Sequence, residues 1–329
     1  MIKKAVLLIF FITLLTAGCT QKSVDTDSEK IAQRNKPVIY TTIYPIYDFT
    51  KKIGGSRVEV IQIIPPGVEP HHFELSAKTL AELSKAAVLI YNGAGMEPWI
   101  DKIKQALDGS QVMMVDTSSK VNLIAFKENH EEQHEEEEHE GKIHRVDGSE
   151  GEHRHDIDPH IWLSPLNAKI QGQAILEALQ KADPANADYF LANYEQFARE
   201  LDELHAEFTT VLNKTKKREI VVAHEALGYL AREYGLVQIP IRGLTAEAEP
   251  SPAKIKEIIE LAKNHNITYI FFETMVDPKV SQIIAAEIGA GTLQINTLDN
   301  ITQGQLADGE DYFSLMRQNL DNLKKALSD

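Results

Sequence analysis

The chain of 329 residues contains twelve histidines, and six of them lie outside one compositionally biased segment. These six are His71, His72, His160, His205, His224 and His265. Neutral imidazole is a borderline-soft ligand that favours Zn²⁺, whereas oxygen donors suit Mn²⁺, Mg²⁺ and Ca²⁺. Because Cys19 is the only cysteine, no intramolecular disulfide can form, and a metal must take nitrogen and oxygen ligands.

Three of these histidines and one aspartate lie next to the ends of predicted elements. They are His71, His160, His224 and Asp299. His71 lies in the loop after a strand predicted at 58–64, and His224 directly follows a strand that ends at Val222. In open α/β sheets, ligands bind in the crevice outside the carboxyl ends of the strands. If these ends face each other in two halves of the chain, three imidazoles and one carboxylate can form a tetrahedral site of the kind that Zn²⁺ takes.

The other three histidines have simpler interpretations. His72 is adjacent to His71 and is expected to be structural or solvent-exposed. His205 lies in the middle of a predicted helix with glutamates two positions before and after it, so we expect a solvated face. His265 lies near a helix end, where a cation complements the helix dipole, and is expected to be structural.

The elements that must position the site form a repeated βα pattern after Pro37. Strands are predicted at 38–43, 58–64, 87–91, 112–115, 219–222, 237–241, 268–272 and 292–295. Helical patterns separate them, which predicts parallel pairing. The fold class is therefore α/β, with two lobes that each contain a mostly parallel four-stranded sheet flanked by helices.

One long helix is predicted between the two lobes. Residues 167–217 consist almost entirely of helix formers, and Asp183-Pro184 divides them. From Ala185 to Lys214 the helix would be roughly 45 Å long at 1.5 Å per residue, so we expect it to run along both lobes. The predicted domains are an N-terminal lobe at 37–183, a linking helix at 184–217 and a C-terminal lobe at 218–329.

The first residues resemble an export signal rather than part of the fold. A short basic head precedes an apolar run at 5–16, which is too short to span a bilayer. Ala17-Gly18-Cys19 then resembles a lipoprotein cleavage site, although Thr16 stands where leucine is usual. We expect lipidation at Cys19, a polar tether at 20–36, and an extracytoplasmic protein anchored to the cell membrane. The alternative is an ordinary secretory signal with an incidental cysteine.

The biased segment at 127–156 contains the other histidines, which are His130, His134, His139, His144, His153 and His155. It also contains twelve acidic and four basic residues, and so carries more than half of the net charge of −15. Without apolar periodicity it cannot bury a core, and we expect it to be disordered. It is either a solvated acidic loop or a low-affinity collector of Zn²⁺.

Four blocks resemble the solute-binding lipoproteins of zinc and manganese ABC importers. They are PHHFE at 70–74, DPHIWL at 158–163, AHEALGY at 223–229 and GLTAEAEPS at 243–251. The resemblance runs from about Val38 to the C-terminus. It implies two α/β lobes on a rigid backbone helix with the metal between them. It also implies ligand roles for His71, His160 and His224, and a carboxylate role for Asp299 that water takes in some zinc members.

The resemblance also favours zinc as the cargo. Manganese members typically have glutamate at the position of His224, and histidine-rich loops mark many zinc members. The implied partners are an ABC permease and its ATPase, and we expect a monomer. The acidic balance argues against nucleic acid and anionic lipid surfaces as partners.

Three other functions are considered. One is manganese or iron delivery within the same family. Another is a zinc hydrolase in which Glu225, beside His224, acts as a general base, although no His-Glu-x-x-His motif occurs. The third is a surface adhesin, on which no residue pattern bears. We expect a protein that is not an enzyme.

Removing residues 127–156 tests the collector hypothesis. We expect the shortened protein to keep one tight zinc site and to lose weaker sites, because the fold does not need this segment. Titration calorimetry measures both. An unchanged stoichiometry would contradict the hypothesis.

Overall fold

The computed structural model describes residues 36–71, 73–125, 157–244 and 249–328. Several predictions therefore lie outside the described residues. They concern Cys19, the tether, His72, all six histidines of the segment 127–156, and residues 245–248 of the fourth block. Residues Pro37–Asp329 cluster as one compact unit.

The two predicted sheets are both present, and every pairing within them is parallel. In the first, β1 (Val38–Thr41), β2 (Glu59–Gln62), β3 (Val88–Tyr91) and β4 (Met113–Asp116) lie in the order β2-β1-β3-β4. In the second, β5 (Glu219–Val222), β6 (Val237–Pro240), β7 (Tyr269–Glu273) and β8 (Gly291–Ile295) lie in the order β6-β5-β7-β8. The observed strand ends differ from the predicted ends by at most two residues.

Ten helices accompany these strands among the described residues. They are α1 (Tyr44–Gly54), α2 (Ala77–Leu83), α3 (Ile100–Ala106), α4 (Pro165–Ala182), α5 (Ala187–Leu212), α6 (Gly228–Tyr234), α7 (Pro252–Asn264), α8 (Lys279–Ile288), α9 (Gln303–Ala307) and α10 (Tyr312–Ser328). The short α9 was not predicted. Thr302 and Gln305 form a capping box at its start, which satisfies backbone donors that would otherwise be unpaired.

The long helix α5 has 26 residues, which corresponds to about 39 Å. It begins at Ala187 rather than Ala185, because Pro184–Asn186 forms a 3-10 turn. Its buried face packs on both halves of the chain. The ring of Phe197 lies 5.0 Å from that of Phe49 in α1 and 5.8 Å from that of Phe313 in α10. One hydrophobic cluster consequently runs through both sheets and joins them.

The described residues on either side of positions 126–156 lie next to each other. Ala125 pairs with Ile157 in an antiparallel bridge, and the amide of Asp158 donates to the carbonyl of Ile124 at 3.0 Å. Asp158 is two residues before His160. The base of the segment therefore lies beside one of the predicted ligands.

Helices α4 and α5 pack closely against each other at Gly172. A Cβ atom at this position would lie 2.7 Å from Cε1 of Phe197, which is a buried and rigid neighbour. Only glycine fits this helix crossing without displacement of the ring.

Gly172→Ala should lower the free energy of unfolding by about 1–3 kcal/mol, because the added methyl overpacks the contact with Phe197. Gly304→Ala in α9 is the matched control, since its Cβ would meet nothing closer than 3.9 Å. The control should be neutral or stabilising by up to about 1 kcal/mol. Urea unfolding measures both, and equal midpoints for the two variants would contradict the prediction.

Candidate metal centre

The structure brings together the three histidines His71, His160 and His224. One ring nitrogen from each lies within 4.8 Å of the others. The Nε2 atoms of His160 and His224 are 3.4 Å apart. Two nitrogens that each lie 2.0–2.1 Å from one tetrahedral Zn²⁺ are separated by about 3.3–3.4 Å, so this spacing suits two ligands of one ion. The role of the three as ligands remains a prediction.

His224 lies at the point where the second sheet reverses its strand order. It follows β5 after one intervening residue, and Glu273 is the last residue of the neighbouring strand β7. The Nδ1 atom of His224 lies 2.7 Å from Oε1 of Glu273, and the same oxygen accepts from the His224 amide at 3.1 Å. A crevice outside the carboxyl ends of parallel strands is thus filled by an imidazole–carboxylate pair.

His160 has an equivalent partner close in sequence. Oδ1 of Asp158 lies 2.9 Å from Nδ1 of His160 and accepts from the His160 amide at 3.0 Å. His160 precedes a 3-10 turn at Ile161–Leu163, after which Ser164 caps α4. In both pairs the carboxylate favours the tautomer with the proton on Nδ1, which leaves the Nε2 lone pair for a metal.

Residues of the C-terminal half of the chain form hydrogen bonds with the segment that carries His160. Nε1 of Trp162 donates to the carbonyl of Thr297 at 2.7 Å, and the hydroxyl of Tyr312 donates to the carbonyl of Trp162 at 2.7 Å. The hydroxyl of Tyr229 donates to the carbonyl of Asp158 at 2.8 Å. These bonds cross between the two halves, so they oppose relative movement of His160 and His224.

Burial and charge act differently on the two inner histidines. Burial, with an additional contribution from the charge on His224, lowers the pKa of His160 to about 3. Burial also disfavours the charged form of His224, but the charge and hydrogen bond of Glu273 and the charge of Asp299 outweigh it and raise the pKa. His160 is therefore neutral near pH 7, as a ligand must be, whereas an ion must displace any proton bound to His224.

The ligand atoms of His71 and Asp299 lie close to each other. His71 lies in the loop after β2, and Asp299 lies in the loop after β8. Both belong to a second group of donors, with Glu69, whose ligand atoms lie within 4.8 Å of one another. Asp299 is only 5% exposed and accepts hydrogen bonds from the Thr297 hydroxyl and the Asn300 amide, each at 2.9 Å.

Sequence reasoning missed the three acidic residues near the histidines, which are Asp158, Glu273 and Glu69. A signal for two of them was present, because Glu69-Pro70-His71 and Asp158-Pro159-His160 repeat an acid–proline–histidine tripeptide. No local signal links Glu273 to His224, since 49 positions separate them.

The remaining histidines are outside the centre. His205, which was expected on a solvated face, is instead half-buried, and its Nδ1 lies 3.1 Å from the hydroxyl of Tyr234. His265 is the C-cap residue of α7, and its side chain is 42% exposed and lies 3.6 Å from Glu219. Glu225 belongs to neither group of metal-ligating atoms among the described residues. No helix in the described part of the chain is long and apolar enough to cross a membrane.

Two α/β lobes with a histidine centre are the architecture of solute-binding proteins that carry metal ions. A family model described as the periplasmic component A of a zinc-uptake complex matches residues 39–326, and the chain belongs to this family.

Individual relatives agree with the family match. The chain is 36% identical over 318 residues to the high-affinity zinc uptake system protein ZnuA of Bacillus subtilis, covering 95% of this chain and 94% of that protein. It is 33% identical over 312 residues to the zinc-binding lipoprotein AdcA of Streptococcus pneumoniae, of which it spans 60%. The crystal structure of the Zn(II)-bound ZnuA-like domain of that AdcA matches 90% of this chain with a TM-score of 0.74 and 31% identity.

Glu273→Gln should weaken zinc binding by about ten- to a hundredfold, because the amide no longer fixes the His224 tautomer or increases its basicity. Glu233→Gln in α6 is the control, because Glu233 is exposed and its substitution removes the same charge. Isothermal titration with a competing chelator measures the affinity. A dissociation constant for Glu273→Gln equal to that of the control would contradict this role.

Proposed function

We propose that this protein captures Zn²⁺ with high affinity outside the cytoplasm and delivers it to an ABC-type metal importer. His71, His160 and His224 bind the ion, and Asp299 or a water molecule supplies the fourth ligand. The partners are the importer permease and its ATPase. Lipidation at Cys19 holds the protein at the membrane surface.

The observation that carries this proposal is the convergence of three imidazoles from three separate loops, two of which are buried and one partly buried. His160 is 0% exposed and His224 is 2% exposed, and each has a carboxylate partner at Nδ1. Burying neutral polar groups is favourable only when their hydrogen-bonding and ligand atoms are satisfied. A bound cation satisfies the Nε2 atoms that face each other.

The donor set supports zinc over manganese. Three nitrogen ligands suit a borderline-soft ion, whereas Mn²⁺ prefers carboxylates and water. Both relatives described above carry zinc in their names, which agrees with this choice.

Capture requires no chemical conversion of the cargo. The ion replaces protons on the imidazoles and loses its hydration shell in the dry centre. The long helix α5 and the hydrogen bonds from Trp162, Tyr229 and Tyr312 restrain the two lobes. Release at the permease therefore proceeds through movement of the loops that carry ligands rather than through wide opening of the lobes.

A hydrolase is less well supported by the same geometry. Such an enzyme needs an open coordination position and a general base within reach of a bound water. Glu225 follows His224 in sequence but belongs to neither group of metal-ligating atoms among the described residues. Metal-dependent peptidase or lactamase turnover by the purified protein would favour the hydrolase.

His160→Ala should weaken zinc binding by orders of magnitude, because it removes a ligand that is already oriented and desolvated. His265→Ala is the matched control, since it removes an exposed histidine outside the centre. Competitive titration with Zn²⁺ and Mn²⁺ measures affinity and preference together. Near-wild-type affinity of His160→Ala would refute its role, and a preference for Mn²⁺ would refute zinc as the cargo.

A further inference from the structure

A second set of metal-ligating atoms lies beside the three histidines. Glu69, His71 and Asp299 place one ligand atom each within 4.8 Å of the others. This group shares His71 with the inner group but contains neither His160 nor His224. We propose that it forms an outer metal position through which Zn²⁺ enters and leaves the three-histidine centre. This inference rests on the proposed function.

The two groups differ in burial. His160 and His224 are almost completely inaccessible and Asp299 is 5% exposed, whereas Glu69 and His71 are only partly buried. An ion that approaches from solvent is therefore expected to meet Glu69 and His71 before the inner pair.

The two groups also differ in charge and in ligand chemistry. The outer group offers two carboxylates and one imidazole as ligands, whereas the carboxylates of the inner group, Asp158 and Glu273, lie at the Nδ1 atoms of His160 and His224. Zn²⁺ is borderline-soft, and imidazole suits it better than carboxylate oxygen. The outer position is thus suited to capture and exchange, and the inner position to retention.

Transfer between the positions needs few ligand changes. His71 belongs to both groups, and Asp299 is the predicted fourth ligand of the inner site. Moving inward therefore exchanges Glu69 for His160 and His224 while His71 and Asp299 remain bound. At no stage must the ion be fully released into water.

Backbone and side-chain contacts hold the outer group together. Nδ2 of Asn300, next to Asp299, donates to the carbonyls of Pro65 at 2.7 Å and Val68 at 2.6 Å. The amide of Gly67 donates to the carbonyl of Ile301 at 2.8 Å. The loop that leads to Glu69 is thereby fastened to the loop that carries Asp299.

A competing account gives Glu69 only an orienting role. Glu69-Pro70-His71 has the same pattern as Asp158-Pro159-His160, in which the carboxylate holds the Nδ1 atom of the histidine. The two accounts predict different kinetics. A residue on the entry path changes the association and dissociation rates together, whereas an orienting residue changes the dissociation rate and the affinity.

Stopped-flow measurement of Zn²⁺ binding to the full chain distinguishes them. For Glu69→Gln we expect the association and dissociation rates to fall together by about three- to tenfold, with a dissociation constant within threefold of wild type. Glu233→Gln is the control for net charge and should leave both rates unchanged. Unchanged rates in Glu69→Gln, or weaker binding with an unchanged association rate, would overturn the proposal.

A second measurement isolates the outer position. The double variant His160→Ala/His224→Ala should keep a weak zinc site at this position beside any weak sites in residues 127–156, and adding Glu69→Gln should reduce the total stoichiometry by one. Equal stoichiometry in the two proteins would overturn the proposal. Absence of tight zinc binding by the wild-type protein would instead refute the proposed function, so the two failures can be told apart.

Discussion

Two buried hydrogen bonds between a carboxylate and an imidazole determine how the centre is built. Asp158 and Glu273 each accept from a histidine backbone amide and lie within 2.9 Å of the Nδ1 atom of that histidine. Each bond fixes a tautomer and a ring orientation, which brings two Nε2 atoms to a separation of 3.4 Å. The carboxylates are themselves desolvated, and burial raises the pKa of Asp158 to about 7. Such groups are stable in the interior only while their partners stay in place.

The first sheet also has a buried carboxylate at its strand ends, but hydroxyl and amide groups rather than an imidazole donate to it. Where its strand order reverses, the buried carboxylate of Glu97 accepts from the hydroxyl of Thr42 and from the amides of Asn92 and Gly93. Nδ2 of Asn92 then donates to the carbonyl of Pro159 at 2.9 Å, and its Oδ1 accepts from Gln171 at 3.0 Å. His224 thus lies directly after a strand of the second sheet. His160 is not next to a strand, and the first sheet holds it through the hydrogen bond from Asn92 to the carbonyl of Pro159.

Local patterns predicted the strands and the places of the histidines, because strand periodicity and turn residues are properties of short stretches. The α/β class and the two four-stranded sheets are confirmed. Contacts between distant residues were not predictable in this way. The pairing of Glu273 with His224 and the contact of His205 with Tyr234 depend on how helices and strands pack. The start of α5 was misplaced because Pro184 suits a 3-10 turn as well as a first helical turn.

The antiparallel bridge between Ala125 and Ile157 closes a loop of the chain. For a flexible closed loop, the entropic cost of closure grows only with the logarithm of its length, by about 0.6 kcal/mol for each doubling. By this relation, doubling or halving the number of residues between Ala125 and Ile157 changes the closure cost by only about 0.6 kcal/mol.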